Sequence, residues 1–360
     1  MAEVSNGQGV SGFPKSYAYQ RQWGMEFVDI SRYSAIEENW KTSQDSISKI
    51  RDTLSGAEMH NAVRTVAAAG SLGRMEASQL SDADLIIVLK DGADLNSDTA
   101  WKAFNSVWTA LTPLGLTEPK KTGVFSTPCS EGQLCGPEVG SAIEELRIFG
   151  KRLLLLLESQ PLLHEEEYKT LIDGIVRRYA RRYVEVDPRK EWAFLLNDLL
   201  RYFRALCVNY QWDFENDKQK WPIRNIKLRH SRLIMYSGLL FLLGEASKER
   251  TDKVQWLKDR LYLTPLERIA HVYHENLDWS FPRVSGLYNV FLSRLNDEGV
   301  RELLHIASEE DPEKHYGERY LKAQYADLKA NSDALIAELL RFVLRRRGIW
   351  SERFFEYLIF

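Results

Sequence analysis

The chain has 360 residues, 44% of them hydrophobic and 28% charged, and 48 Lys and Arg against 51 Asp and Glu leave a net charge of −3. That hydrophobic content excludes a disordered tail, and a balance so near neutral argues against a protein that coats nucleic acid by bulk charge. Three cysteines (Cys129, Cys135, Cys207) cannot build a disulfide framework, which points to a reducing, cytoplasmic setting. The longest strongly apolar run, Leu233 to Leu243, is too short to span a bilayer, and the opening MAEVSNGQGVSGFP lacks the basic region and apolar core of a secretion signal.

Residues 1–30 are expected to form a flexible N-terminal segment, the first 15 being rich in Gly and Ser. From Ser31 to Leu54 the apolar positions Ile36, Trp40, Ile47, Ile50 and Leu54 recur at roughly helical spacing. Glu58–Val66 reads as a helix or a lead into a strand, and Thr65–Ala69 runs into Gly70-Ser71. Ala83–Leu89 is the clearest strand, aliphatic and bounded by Ser81 and Asp91-Gly92. Thr99–Leu111 reads as a helix with Asp98 as its N-cap, and Thr122–Thr127 as another strand. From about Glu144 helical periodicity dominates, broken at Pro161, Pro188, Pro222, Pro265 and Pro282, where proline lacks the N–H a helix needs. Helices are expected over Glu144–Gln160, Glu165–Tyr183, Glu191–Tyr210, Ile223–Leu243, Lys253–Tyr262, Pro265–Asn276, Gly286–Arg294, Glu318–Ala330 and Ser332–Arg347. The expected fold class is α+β, a small mixed-sheet domain over 31–140 followed by a large all-helical domain over 141–360.

The stretch that carries chemistry is Ala69 to Leu89. Gly70-Ser71 closes a small-residue strand and opens a turn whose backbone N–H groups suit phosphate oxygens; Gly73 permits close approach, and Arg74 offers a cationic fork. Asp82 and Asp84 come next at the head of the aliphatic strand, two apart and so on one face. Two carboxylates on one face repel unless a cation lies between them, and Mg2+ (or Mn2+) meets that need together with substrate phosphates. Such an arrangement is the minimum apparatus for nucleotidyl transfer, with Asp82 and Asp84 holding metal and Gly70, Ser71 and Arg74 holding phosphate.

Gly-Ser, then Gly-Arg-Met-Glu over 73–76, then Ser-Asp-Ala-Asp-Leu over 81–85, resembles the signature of the DNA polymerase β-like nucleotidyltransferase superfamily. Within it the stretch is most similar to the catalytic domain of bacterial PII uridylyltransferases and related signalling nucleotidyltransferases. Leu153–Leu162, containing Glu158-Ser159, resembles more weakly the segment beyond their catalytic half. The resemblance implies transfer of an NMP group from an NTP to a hydroxyl acceptor, whether protein, RNA end or small molecule, with pyrophosphate release. It also implies a third carboxylate, for which Glu118 and Glu158 are the candidates and Glu138 a weaker one. The chain departs from the uridylyltransferases in having no His-Asp dipeptide, so their substrate and regulation do not carry over, and Met75 stands before the motif's glutamate. Lacking an obvious third acid, the chain also fits an inactive nucleotide-sensing or partner-binding module.

Downstream, Arg177 to Arg232 is locally basic, and Arg201, Arg204, Arg224 and Lys227 are the residues expected to turn toward Asp82 and Asp84 and hold a triphosphate, in a cleft between the two halves. Trp192, Tyr202, Trp212 and Trp221 read chiefly as packing residues. His271 and His274 lack the spacing of a helical zinc motif. No membrane partner and no stable DNA binding are expected. The tail, Leu344-Arg-Arg-Arg347 and then Phe354 to Phe360, reads as aromatics closing the helical core rather than as a membrane-surface or docking element.

Overall fold

The computed structural model describes residues 16–92, 97–116, 118–119, 123–136, 144–187, 189–216, 221–306 and 323–359. Among these a four-stranded mixed sheet is surrounded by helices. Its strands are β1 (Val63–Ala69), β2 (Asp84–Leu89), β3 (Cys129–Ser130) and β4 (Gln160–Leu163), in the order β3-β2-β1-β4. β1 runs antiparallel to both β2 and β4, and β2 runs parallel to β3. Every residue of β1 is buried, and its Ala67-Ala68-Ala69 run leaves room for helices to approach closely.

Strand register sets the neighbours of the Gly70 turn. Ala69 pairs with Asp84 on one side, and Ala68 pairs with Gln160 on the other. The end of β1 therefore lies between Asp84 and the segment that begins with Glu158.

In chain order the helices start with α1 (Ser34–Gly56), the single turn α2 (Gly70–Gly73), α3 (Asp98–Leu111) and α4 (Glu131–Cys135). α5 (Leu146–Glu158), α6 (Glu165–Val184), α7 (Ala193–Asn216), α8 (Trp221–Lys227) and α9 (Leu233–Glu245) come after them. The last are α10 (Lys253–Lys258), α11 (Pro265–Glu275), α12 (Phe281–Asn296), α13 (Glu298–Ile306), α14 (Ala323–Leu344) and α15 (Glu352–Ile359). The leucine run of α5 is buried along its length, and α9, apolar on every face, packs against α5, α7 and α11. Buried Arg268 donates to the carbonyls of Leu156 (2.8 Å) and Leu157 (2.9 Å), which α5 leaves unpaired where the chain turns into β4.

Several expectations change. Residues 16–30 are packed rather than flexible, because fully buried Arg21 pairs with fully buried Glu267 on α11 at 2.8 Å. Over 123–127 the chain bends and turns instead of forming the expected strand; the edge strand is Cys129–Ser130, while Thr122 lies outside the described residues. The cap of α3 is Ser97, which accepts from the Ala100 N–H, with Asp98 as the first helical residue. Pro161 does more than break a helix: it sits in β4, an outer strand, where a missing N–H costs little. The mixed sheet thus draws on residues from both sides of position 140. α1 has no side-chain cap of its own. Asn289 of α12 supplies one, its Oδ1 accepting from the N–H groups of Ala35 (3.0 Å) and Ile36 (3.2 Å). The tail aromatics do close the helical core: Trp350 and Phe354 are buried, and the Trp350 indole donates to Glu245. No described helix is long and apolar enough to cross a membrane.

Candidate functional site

The site is assembled at the end of β1. Gly70 has φ +64, a left-handed conformation that glycine adopts freely. A Cβ there would intrude on Asp84, 3.1 Å from its Cγ and 3.2 Å from its Cβ. Gly73 is equally confined, since a Cβ there would lie 2.8 Å from the Ala68 carbonyl oxygen. Both glycines of the motif are thus required by close approach.

Beneath the turn lies a buried charge network. The Gly70 N–H donates to Glu158 Oε1 at 2.9 Å. Arg74 donates through Nε to Glu76 Oε2 at 2.7 Å and pairs through Nη1 with Glu158 Oε2. Arg232 reaches in from the helical side, its Nη1 3.4 Å from each Glu158 oxygen. Burial pulls the Arg74 pKa down, but the charges of Glu158 and Glu76 outweigh it and hold the guanidinium well above its ordinary range.

Above the network a cleft opens between the sheet and the helices. Ser71, Asp82 and Asp84 line the sheet side, and Lys227, Ser231, Arg232 and Arg301 the helical side. Asp82 is exposed and Asp84 half-buried, and neither accepts a hydrogen bond from a described side chain or backbone group. Burial first, and the neighbouring Asp82 charge second, push the Asp84 carboxyl up to about 6; Arg232 opposes the rise. Burial, with Arg301 and Arg232 nearby, brings the Lys227 ammonium down to about 8.

The helical wall is built by a π turn at Leu228–Arg232. The wider turn brings Ser231 and Arg232 to the same cleft as Lys227, while His230 faces the core. There its ring stacks on Phe291 at 4.3 Å and its Nδ1 lies 2.8 Å from the Ile226 carbonyl oxygen.

The structure brings together Gly70, Ser71, Arg74, Asp82, Asp84, Glu158 and Lys227. Arg201 and Arg204 do share a face of α7, one turn apart, but it is the solvent face, because Leu195, Leu196 and Leu199 turn inward. Arg201 lies 3.8 Å over the Phe149 ring and pairs with Glu144 at 3.5 Å, and Arg204 borders a separate apolar groove. Arg224 is half-buried on α8 and does not line the cleft. Glu118 is exposed in the loop after α3 and does not line it either; Glu138 lies outside the described residues. Arg232, which lies in the basic stretch but outside the four cations expected at the cleft, lines it, as do Ser231 and Arg301, which were not expected there. A helical wheel puts Arg229 and Arg232 together, yet the π turn separates them and Arg229 pairs with Asp333 on α14. Nothing in the local sequence marks Arg301.

Two carboxylates free of hydrogen-bonded partners among the described residues, one with its proton affinity raised by burial and then by the other, fit a hard divalent cation that also binds substrate oxygens. Glu158 does not extend the set, since its oxygens are committed to Gly70, Arg74 and Arg232. Among the described residues no three or more His, Cys, Asp and Glu side chains group where they would hold a metal ion. Compared with known proteins, the chain matches no protein-family model and no curated protein.

Proposed function

We propose that this chain is a Mg2+-dependent nucleotidyltransferase that moves an NMP group from an NTP to a hydroxyl of a protein, an RNA end or a small molecule. The observation that carries the reading is the opposition across one cleft of Asp82 and Asp84, beside the Gly70-Ser71 turn, and of Lys227, Arg232 and Arg301. Carboxylates alone would repel a triphosphate and cations alone would hold any anion; the two together suit a nucleotide that arrives with its metal.

In this reading the acceptor oxygen forms a bond to the α-phosphorus, the bond from that phosphorus to the bridging oxygen breaks, and pyrophosphate leaves as the acceptor loses its proton. Mg2+, or Mn2+ in its place, supplies acidification of the attacking hydroxyl and screening of the transferred group. Asp82 and Asp84 hold that ion. The Ser71 hydroxyl donates to a phosphate oxygen, and Lys227, Arg232 and Arg301 bind the outer phosphates and the charge that builds on pyrophosphate. Glu158 and Arg74 act as positioning residues that keep the turn closed against Asp84.

One observation favours a second reading, a nucleotide-sensing module without turnover: the acid best placed to be a third ligand is neutralised by two arginines. Incubation with each labelled NTP and Mg2+, and then a search for labelled protein, RNA or small molecule, separates the two. Transfer that disappears in Asp82→Asn and Asp84→Asn supports the enzyme. Binding without transfer, weakened by Lys227→Met with Arg232→Met but not by Arg201→Ala with Arg204→Ala, supports the sensor. No binding of any NTP refutes both.

A further inference from the structure

The turn between α11 and α12 is built in an unusual way. Leu277 takes φ +51, a left-handed conformation that a branched aliphatic residue rarely accepts. The turn is nonetheless tightly held. The Asp278 N–H donates to the Tyr273 carbonyl at 2.9 Å. The Asp278 carboxylate accepts from the Ser280 hydroxyl at 2.6 Å and pairs with Arg346 at 3.1 Å. This rigid loop leaves Leu277 73% exposed and Trp279 82% exposed.

The Arg346 pair joins the loop to the end of α14. Around it Leu344 is 54% and Ile349 48% exposed, and Arg345 and Arg347 are also exposed. Neither Arg345 nor Arg347 is ion-paired to a described residue, whereas Arg341 is paired with Glu338 and Arg346 with Asp278. Two neighbouring segments thus present a tryptophan, three aliphatic side chains and two exposed guanidinium groups that form no ion pair with a described residue.

We infer that the Leu277–Trp279 loop and the Leu344–Ile349 turn form a surface that docks on an anionic phospholipid bilayer. Aliphatic side chains enter the boundary between headgroups and acyl chains, tryptophan settles at headgroup level, and arginine meets the lipid charge. A nucleic-acid surface would use the arginines but has no use for three exposed aliphatics. The absence of a spanning segment does not bear on peripheral docking; such a surface departs from the sequence reading of Leu344–Arg347, because Trp350 and Phe354 close the core while Leu344, Arg345, Arg347 and Ile349 stay exposed.

The test is co-sedimentation of the full chain with vesicles of phosphatidylcholine, alone or mixed with phosphatidylserine. The expected result is binding to the mixed vesicles, weakening as salt rises, and little binding to phosphatidylcholine alone. Arg345→Gln with Arg347→Gln should lower the partition by roughly tenfold or more, and Trp279→Ser should lower it comparably. Leu277→Asn is the decisive variant. Asparagine suits the left-handed backbone, so weaker vesicle binding with an unchanged or higher Tm reports docking rather than unfolding. The inference is overturned if the mixed vesicles do not bind the chain or if these variants bind as the unsubstituted protein does. It is equally overturned if single-stranded RNA, and not the vesicles, binds through Arg345 and Arg347 without dependence on Leu277 and Trp279.

Discussion

Replacing Gly70 by alanine tests the geometry at the centre of the site. At φ +64 the added Cβ places an L-residue in the left-handed region, which costs about 1–2 kcal/mol. The same methyl crowds Asp84, which pairs in register with Ala69, so the carboxylate must leave its position. An off-rotamer side chain adds about 0.5–1.5 kcal/mol, so Gly70→Ala should destabilise the fold by about 1.5–3.5 kcal/mol. Urea denaturation with an unchanged m-value measures this directly. Nucleotidyl transfer, if present, should fall far more than stability does, because the displaced group is a proposed metal ligand. Gly70→Asn separates the two effects, since asparagine tolerates the backbone but keeps the clash. Should Gly70→Ala unfold at the same urea concentration and bind NTP unchanged, the turn is neither strained nor close to the ligand, and the reasoning fails.

Asp84→Asn should raise the stability of the metal-free protein at neutral pH. The folded carboxyl, at about 6, retains a proton that the unfolded chain releases near 3.8, so stability falls as pH rises through that window. The gain in Tm should therefore be full above pH 6 and absent below about pH 4. Glu158→Ala takes from buried Arg74 one of its two carboxylate partners, leaving Glu76, and takes from the Gly70 N–H its acceptor, so it should cost up to about 3–5 kcal/mol in urea, while Glu158→Gln, which can still accept from Gly70, should cost less. His230 is buried and held neutral down to about 4 by burial, whereas the unfolded side chain protonates near 6.5. Stability should then drop by up to about 3 kcal/mol as pH falls between those values, and His230→Phe should flatten that part of the stability profile.

The parts of the site that are local in sequence were legible, and those set by long-range pairing were not. Gly70, Ser71, Asp82 and Asp84 lie on one strand–turn–strand unit, whose glycines and aliphatic strand are visible in a short window. Glu158 is legible as a candidate third carboxylate, but its commitment to Gly70, Arg74 and Arg232 is not, because that depends on β4 pairing beside β1. Of the four expected cations Lys227 lines the cleft, and Arg201 and Arg204 miss it for a related reason. Arg201 and Arg204 have the right spacing, but spacing alone does not tell which face of an amphipathic helix meets solvent. Arg232 reaches the cleft through a π turn, whose departure from the 3.6-residue period leaves no mark in the hydrophobic pattern. The edge strand at Cys129–Ser130 is too short for any alternation to show.

The cap that Asn289 gives to α1 has a consequence for the order in which the chain is made. Ribosomes deliver the N-terminal end first, so α1 emerges with the amides of Ala35 and Ile36 unanswered, and it stays so until the polypeptide has been extended past α12. Arg21 waits in the same way for Glu267, and β1 for β4. The nascent protein must therefore hold α1 in a provisional state until the chain has grown by the 254 residues that separate Ala35 from Asn289. A stalled or shortened product lacking α12 would expose the uncapped helix, and one ending before β4 would expose an unpaired side of the sheet as well. Both make such fragments natural prey for proteases and chaperones.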